Sequence, residues 1–242
     1  MSNRLRNLYI ITARAGSKGV KNKNIQEIDG LPLIAFKAIS AKKSSFCDKI
    51  IISTDSEEIA EIAMKYGVEA PFLRPKHLAE DSSSSVDVLL HAVDYIETNC
   101  KDKFDTLTLL EPSSPFTTYE DLNRAFEIYK EKKADSVIGM KHSISSMFIA
   151  PLDDNLKMSA HFEKLNSEKS LRRQDTAQEY TMNGAVYICG WDFFKNKKSI
   201  YSDNSYGYIM KDEYSVEIDT YEDLRYAEYL YENLIDKTFW SD

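Results

Sequence analysis

Cysteine, histidine, glycine and proline are all scarce in this 242-residue chain. The three cysteines, Cys47, Cys100 and Cys189, are odd in number, widely spaced and without a CxxC. That excludes a disulfide framework and a thiolate zinc site, and makes a reducing compartment the default. The histidines, His77, His91, His142 and His161, show no metal-ligand spacing and no Ser/His/Asp arrangement, so no covalent intermediate is indicated. No internal repeat or low-complexity linker is present. No apolar stretch approaches the ~18 residues of a membrane span, and no long apolar region stands near the N-terminus. Positive charge is in the minority: the net charge is −8, which argues against general nucleic-acid binding. The expectation is a soluble, cytoplasmic protein with neither nucleic acid nor membrane as partner.

Hydrophobic residues make up 43% of the chain, enough to supply a core. The length suits one large α/β domain over residues 1–242. Leu8–Thr12 reads as a first buried strand, and Leu31–Lys42 as a helix with Pro32 in its first turn. Lys49–Thr54 is isoleucine-rich and reads as a strand covered on both faces. Asp55-Ser56-Glu57-Glu58 supplies a cap and early acidic residues. Ile59, Ile62, Ala63 and Tyr66 follow at i, i+3, i+4, i+7. The alternation continues. Helices run around Val86–Val93 and Leu122–Tyr129, strands at Thr106–Leu110, Ser136–Met140 and Gly184–Ile188. A short strand at Val216–Ile218 precedes a closing helix around Leu224–Leu234. This predicts a mostly parallel sheet wrapped by helices, with ligands at the carboxyl ends of the strands. Arg14, Asp55 and Glu111 each fall just after a strand, where they can face one crevice. Ser143–Met182 breaks the rhythm and reads as an irregular excursion or dimer contact.

The strongest local signal is Leu8–Asn24, LYIITARAGSKGVKNKN. An apolar run stops at small and basic residues, where backbone N–H groups and cations can hold a polyphosphate. It contains neither GxxxxGK[ST] nor GxGxxG. Taken alone, it supports a phosphate site against the alternative of a basic surface turn. Glu217-Ile218-Asp219 places two carboxylates at i and i+2, on one side if extended, where they can share a Mg²⁺ with phosphate oxygens. Ser82–Ser85 puts four hydroxyls before a helix start, suited to an anion, a polar base or a simple cap.

Together these segments resemble the acylneuraminate cytidylyltransferases, also called CMP-sialic acid synthetases. The resemblance rests on ARAGSKGVKNKN, IISTDSEEIAEIAMKYG (Ile51–Gly67), FLRPKHLAEDSSSS (Phe72–Ser85), LLEPSSPF (Leu109–Phe116), RRQD (Arg172–Asp175), NGAVYI (Asn183–Ile188) and VEIDTYEDL (Val216–Leu224). They occur in one consistent order over about residues 8–230.

The resemblance implies a Rossmann-like nucleotide-diphospho-sugar transferase architecture. The activity it implies is a Mg²⁺-dependent transfer from CTP to a nine-carbon 2-keto sugar acid, by a homodimer. Residues 143–182 would serve as its dimerisation and sugar-binding excursion. Arg14, Lys23 and Asp219 would be catalytic. Ala13, Arg14, Ser17, Lys18, Lys23, Asn24, Arg74, Ser83 and Ser85 would bind the nucleotide. Glu111, Arg173, Asn183, Phe193 and Phe194 would bind the sugar, and Asp219 with Glu217 the metal. Several alternatives stand beside these roles. Lys21 is surface charge. Arg74 can pair with Glu80 or Asp81. Arg172 is the fallback for Arg173. Phe193 and Phe194 are as well suited to the core.

The sequence departs from the family at four places. Glu217 stands where the matching segment usually reads Asp, and Glu111 where glutamine is common. Thr117 and Thr181 stand where arginines occur. These departures leave the sugar open among neuraminic, legionaminic and pseudaminic acids. A Kdo cytidylyltransferase and a non-catalytic nucleotide-binding regulator are the rival readings.

Overall fold

A computed structural model of the chain describes residues 4–158, 172 and 177–241. Strands β1 (Asn7–Thr12), β4 (Lys49–Ser53) and β5 (Thr106–Leu110) run parallel. They join β6 (Ser136–Ser143), β7 (Glu179–Gly190) and β8 (Ser205–Ile209) in one sheet of order β4-β1-β5-β7-β6-β8. β7 alone runs against its neighbours β5 and β6. The sheet is therefore mostly parallel, as the alternating pattern predicts. A two-stranded ribbon, β2 (Glu27–Ile28) and β3 (Leu31–Pro32), leads into the first helix.

Burial on both faces follows from the strand alternation. Tyr9 and Ile11 of β1 point into one layer with Ile52, Ala63, Phe126 and Ile188; Leu8 and Ile10 point into the other with Leu89, Val93, Ile96 and Trp191. The first layer is covered by α1 (Leu33–Lys43), α2 (Glu57–Lys65) and α4 (Tyr119–Lys132). The second is covered by α3 (Ser85–Thr98) and α5 (Trp191–Lys197). The closing helix α6 (Tyr221–Asn233) builds a third cluster in which Phe36 meets Phe116, Tyr231 and Trp240 edge-on. Among the described residues, no helix is long and apolar enough to cross a membrane.

Helix starts obey local chemistry. Ser56 caps α2 and Ser84 caps α3 through their side-chain oxygens. Thr118 with Asp121, and Thr220 with Asp223, form reciprocal capping boxes at α4 and α6. Two sequence expectations need correction. Val216–Ile218 is not a strand: it has no ladder partner and is tied to the sheet by Ile218 N–H donating to the Ser113 carbonyl at 2.8 Å. Pro32 precedes α1 and pairs with Glu27 rather than sitting in the helix. Strand β8 and helix α5 were not anticipated. β8 is half exposed at the sheet edge, and α5 is only seven residues long, too short to show a period.

Phe36→Ala removes a ring with no exposed surface from the point where α1, α6 and the chain end meet. It is expected to lower unfolding stability by about 3–5 kcal/mol, read from urea denaturation.

Candidate functional site

The loop after β1 is shaped by its neighbours before it can bind anything. Ala13 is buried and its N–H donates to the Ser53 carbonyl at 3.1 Å, so it offers backbone only. Ala15 N–H donates to Asp55 Oδ1 at 3.0 Å, which makes Asp55 a support of the loop. Asn24 is buried too. Its Nδ2 donates to the Arg14 carbonyl at 2.9 Å, closing the loop on itself. Lys23 Nζ donates to the Ile218 carbonyl at 2.7 Å and to Asp219 Oδ1 at 2.9 Å. Gly19 permits that approach, because a Cβ there would lie 1.9 Å from the Asp219 carbonyl oxygen. Lys21 is exposed, in keeping with surface charge.

These contacts open a cleft of about 490 Å³ at the carboxyl ends of β1, β4 and β5. Arg14, Ser17, Lys18, Lys23, Asn24, Arg74, Ser83, Ser85, Glu111 and Asp219 all line it. The loop cations face carboxylates across it. Arg14 Nη1 lies 2.8 Å from Asp81 Oδ1, and Lys18 Nζ lies 2.5 Å from Asp81 Oδ2. Those two hydrogen bonds, Lys18's first, hold the Asp81 carboxyl below the usual range. A carboxylate held by two cations marks a place where a phosphate can be held. Arg74 pairs with neither Glu80 nor Asp81. It is buried and donates to the Ser53 hydroxyl at 3.0 Å and to the Ser53 carbonyl, and burial lowers its pKa to about 10. Ser83 Oγ donates to the His77 carbonyl at 2.8 Å, and Ser85 opens α3 next to its cap.

Beyond β5 the cleft turns acidic. Glu111 is largely buried, and its pKa is pushed up to about 7, first by burial and then by the Glu217 charge. Gly184 explains how the carboxylates come together. It has φ +66°, and a Cβ there would meet Ser114 Oγ at 2.9 Å, Glu217 Oε1 at 3.0 Å and Glu111 Oε2 at 3.4 Å. Sequence reasoning missed several residues here. Tyr187 and Tyr201 both have phenol pKa values raised first by burial, with the Glu111 charge adding to it, but neither lines the cleft. Lys37 is buried and donates to Thr117 Oγ1 and, at 2.9 Å, to the Ala185 carbonyl. A lysine amid the apolar run LIAFKAIS was the available signal for Lys37.

Other candidates go elsewhere. Asn183 is fully buried, with Nδ2 donating to Ser215 Oγ at 3.1 Å and Oδ1 accepting from Ala185 N–H at 3.2 Å. Its amide therefore shapes the Gly184 corner from behind. Phe193 and Phe194 do not line the cleft. They sit on α5, whose first N–H bonds the Asp105 carbonyl at the amino end of β5, and Phe194 is core. Their double-aromatic pattern suited a wall, but the reversal of β7 carries the chain to the opposite end of the sheet. Arg172 is exposed and Arg173 lies outside the described residues.

Glu217 and Asp219 offer hard oxygen donors, but among the described residues no cluster of three metal-ligating side chains exists. Asp219 lines the cleft and Glu217 Oε1 faces the Gly184 corner, so these donors fit Mg²⁺ only as an ion that takes most of its ligands from phosphate and water.

A flagellin modification protein B from Campylobacter coli is 36% identical over 223 residues, covering 92% of this chain and 94% of that protein. The CMP-N,N'-diacetyllegionaminic acid synthase of Campylobacter jejuni is 34% identical, covering 96% and 98%. A CMP-2-keto-3-deoxy-manno-octonic acid synthetase solved with CTP superposes with TM-score 0.70 over 95% of this chain and 100% of that one, at 15% identity, a likeness of fold. The cytidylyltransferase family profile matches residues 8–239, and the chain belongs to the cytidylyltransferase family.

Proposed function

We propose that this cytidylyltransferase joins CTP to a nonulosonic acid, giving the CMP-sugar and pyrophosphate. The observation that carries the reading is one cleft with two characters. Arg14, Lys18 and Lys23 form a cationic wall, and the largely buried Glu111 carboxyl marks an acidic end. The cationic wall suits a triphosphate; the other end suits a polyhydroxylated, acylated sugar. The acceptor's anomeric oxygen attacks the α-phosphorus as the bond to the leaving pyrophosphate breaks. Arg14 and Lys18 exchange Asp81 for phosphate oxygens and hold the chain for in-line attack. Lys23, fixed by Ile218 and Asp219, neutralises charge that builds on the leaving group. Arg74 braces the strand end beneath the nucleotide. Glu111 accepts hydrogen bonds from the sugar, and Arg173 pairs with its carboxylate.

Glu217 and Asp219 would hold Mg²⁺, which supplies charge neutralisation on the triphosphate. A homodimer completes the proposal. Ile144, Ile149, Leu152, Tyr180 and Met182, all within residues 143–182, carry exposed apolar surface, which supports a second copy there.

The decisive measurement is pyrophosphate release with CTP against neuraminic, legionaminic, pseudaminic and Kdo acids. Turnover with one of the first three is expected. Tight CTP binding without turnover on any of them would instead mark a regulator, and turnover on Kdo alone the rival enzyme. Asp219→Ala is expected to reduce Mg²⁺-dependent turnover about 100-fold with the melting curve preserved; an unchanged rate refutes its role. Glu111→Gln is expected to change the Michaelis constant for the sugar about tenfold and that for CTP about twofold or less. An effect confined to CTP overturns the placement of Glu111.

A further inference from the structure

Lys37 occupies the middle of α1 with 0% exposure. An ammonium buried among apolar side chains is strongly unfavourable unless it meets opposing charge and acceptors. An apolar residue would pack there at no such cost, so the charge needs a partner. The contacts of Nζ indicate where. It donates to Thr117 Oγ1, in the turn that leaves β5, and to the Ala185 carbonyl at 2.9 Å, one residue past Gly184. Both attachment points belong to the walls around Glu111. The turn folds back through Ser114 N–H donating to the Glu111 carbonyl at 3.1 Å, and Thr117 Oγ1 lies 3.5 Å from the Ser114 carbonyl. On the other wall, the bare Cα of Gly184 leaves room for Glu111 Oε2 and Glu217 Oε1.

We propose that Lys37 is the positioning residue for Glu111. Its buried ammonium ties the Glu111–Thr117 turn to Gly184–Ala185 and supplies the positive charge that offsets Glu217, keeping the Glu111 carboxylate directed at the acceptor side of the cleft. This rests on the reading of Glu111 as a sugar contact given above. The electrostatics agree. Lys37 draws the Glu111 pKa down while Glu217 drives it up, and Glu111 in turn favours the protonated lysine against the burial that lowers it to about 7. Lys37 itself does not line the cleft. Its effect on the acceptor therefore passes through Glu111, and the nucleotide wall of Arg14, Lys18 and Lys23 is left untouched.

The test is a double-mutant cycle on the full chain, with Lys37→Met and Lys37→Gln each made alone and with Glu111→Gln. Lys37→Gln keeps a donor for Ala185 and removes only the charge, so it carries the comparison should Lys37→Met fail to fold. Each single lysine variant is expected to raise the Michaelis constant for the sugar acid about tenfold and to leave that for CTP within about twofold. With Glu111→Gln already present, the same replacement is expected to change the sugar constant by less than about twofold. Melting temperatures of the four proteins in each cycle provide a readout that needs no acceptor, and non-additive shifts are expected for a coupled pair. An undiminished lysine effect in the Glu111→Gln background, equal losses for both substrates, or additive melting shifts would each overturn the proposal. Should the wild type use no acid of the panel, the sugar reading fails, and the melting cycle still decides the Lys37–Glu111 pairing.

Discussion

The site depends on how the Val216–Asp219 segment is held without a strand partner. Three hydrogen bonds do most of this. Ile218 donates to the Ser113 carbonyl, and Lys23 donates to the Ile218 carbonyl and the Asp219 carboxylate. They hold the residue Ile218 through both of its backbone groups, its N–H and its C=O. The loop after β1 and the turn after β5 thereby converge on the acidic segment. Gly19 is required because the backbone of Asp219 fills the space of its side chain. Without this contact, the carboxylates at 217 and 219 would sit on an untethered connection ahead of α6.

The same contact explains why the cations are already partnered. Lys23 with Asp219, and Arg14 and Lys18 with Asp81, are exposed or half-exposed pairs, each worth little by itself in water. Their value is geometric. A weak carboxylate contact keeps the cation pointed into the cleft, and a more highly charged phosphate can replace it with modest loss. Asp81 suits this exchange because its carboxylate is exposed and lies on the connection before α3.

Most of the sheet was legible because its strands carry continuous apolar runs and the helices α2, α3, α4 and α6 start at Ser or Thr caps. Leu8–Thr12, Lys49–Thr54 and Thr106–Leu110 fall within a residue of the observed strands. The nucleotide wall was legible for a related reason: it lies on one contiguous loop, where a run of small and basic residues speaks for itself. The acceptor end was not. It is assembled from Glu111, Gly184 and Glu217, which are scattered over about half the chain and meet through the reversal of β7. Phe193 and Phe194 were misplaced for that reason, since a residue's end of the sheet depends on strand direction, which periodicity does not encode. The 216–218 segment misled because an alternating VEI pattern has the same period whether or not a neighbour pairs with it.

Strand direction also accounts for the division of labour within the cleft. β1, β4 and β5 bring their carboxyl ends to one edge, where loops leave freely and can present cations. β7 reaches that edge mid-strand, between Met182 and Tyr187, where its register against β6 shifts and the Asn183 and Ala185 carbonyls accept from the Ser114 and Lys37 side chains instead. At this irregularity the strand uses the smallest residue, at a positive φ, to admit carboxylates from two other segments. Like charges gathered at such a spot repel, and burial strengthens the repulsion. A counter-charge is therefore required from behind the sheet, since the front must remain open to ligand. The layer behind it is α1, and Lys37 is the cation that α1 brings there.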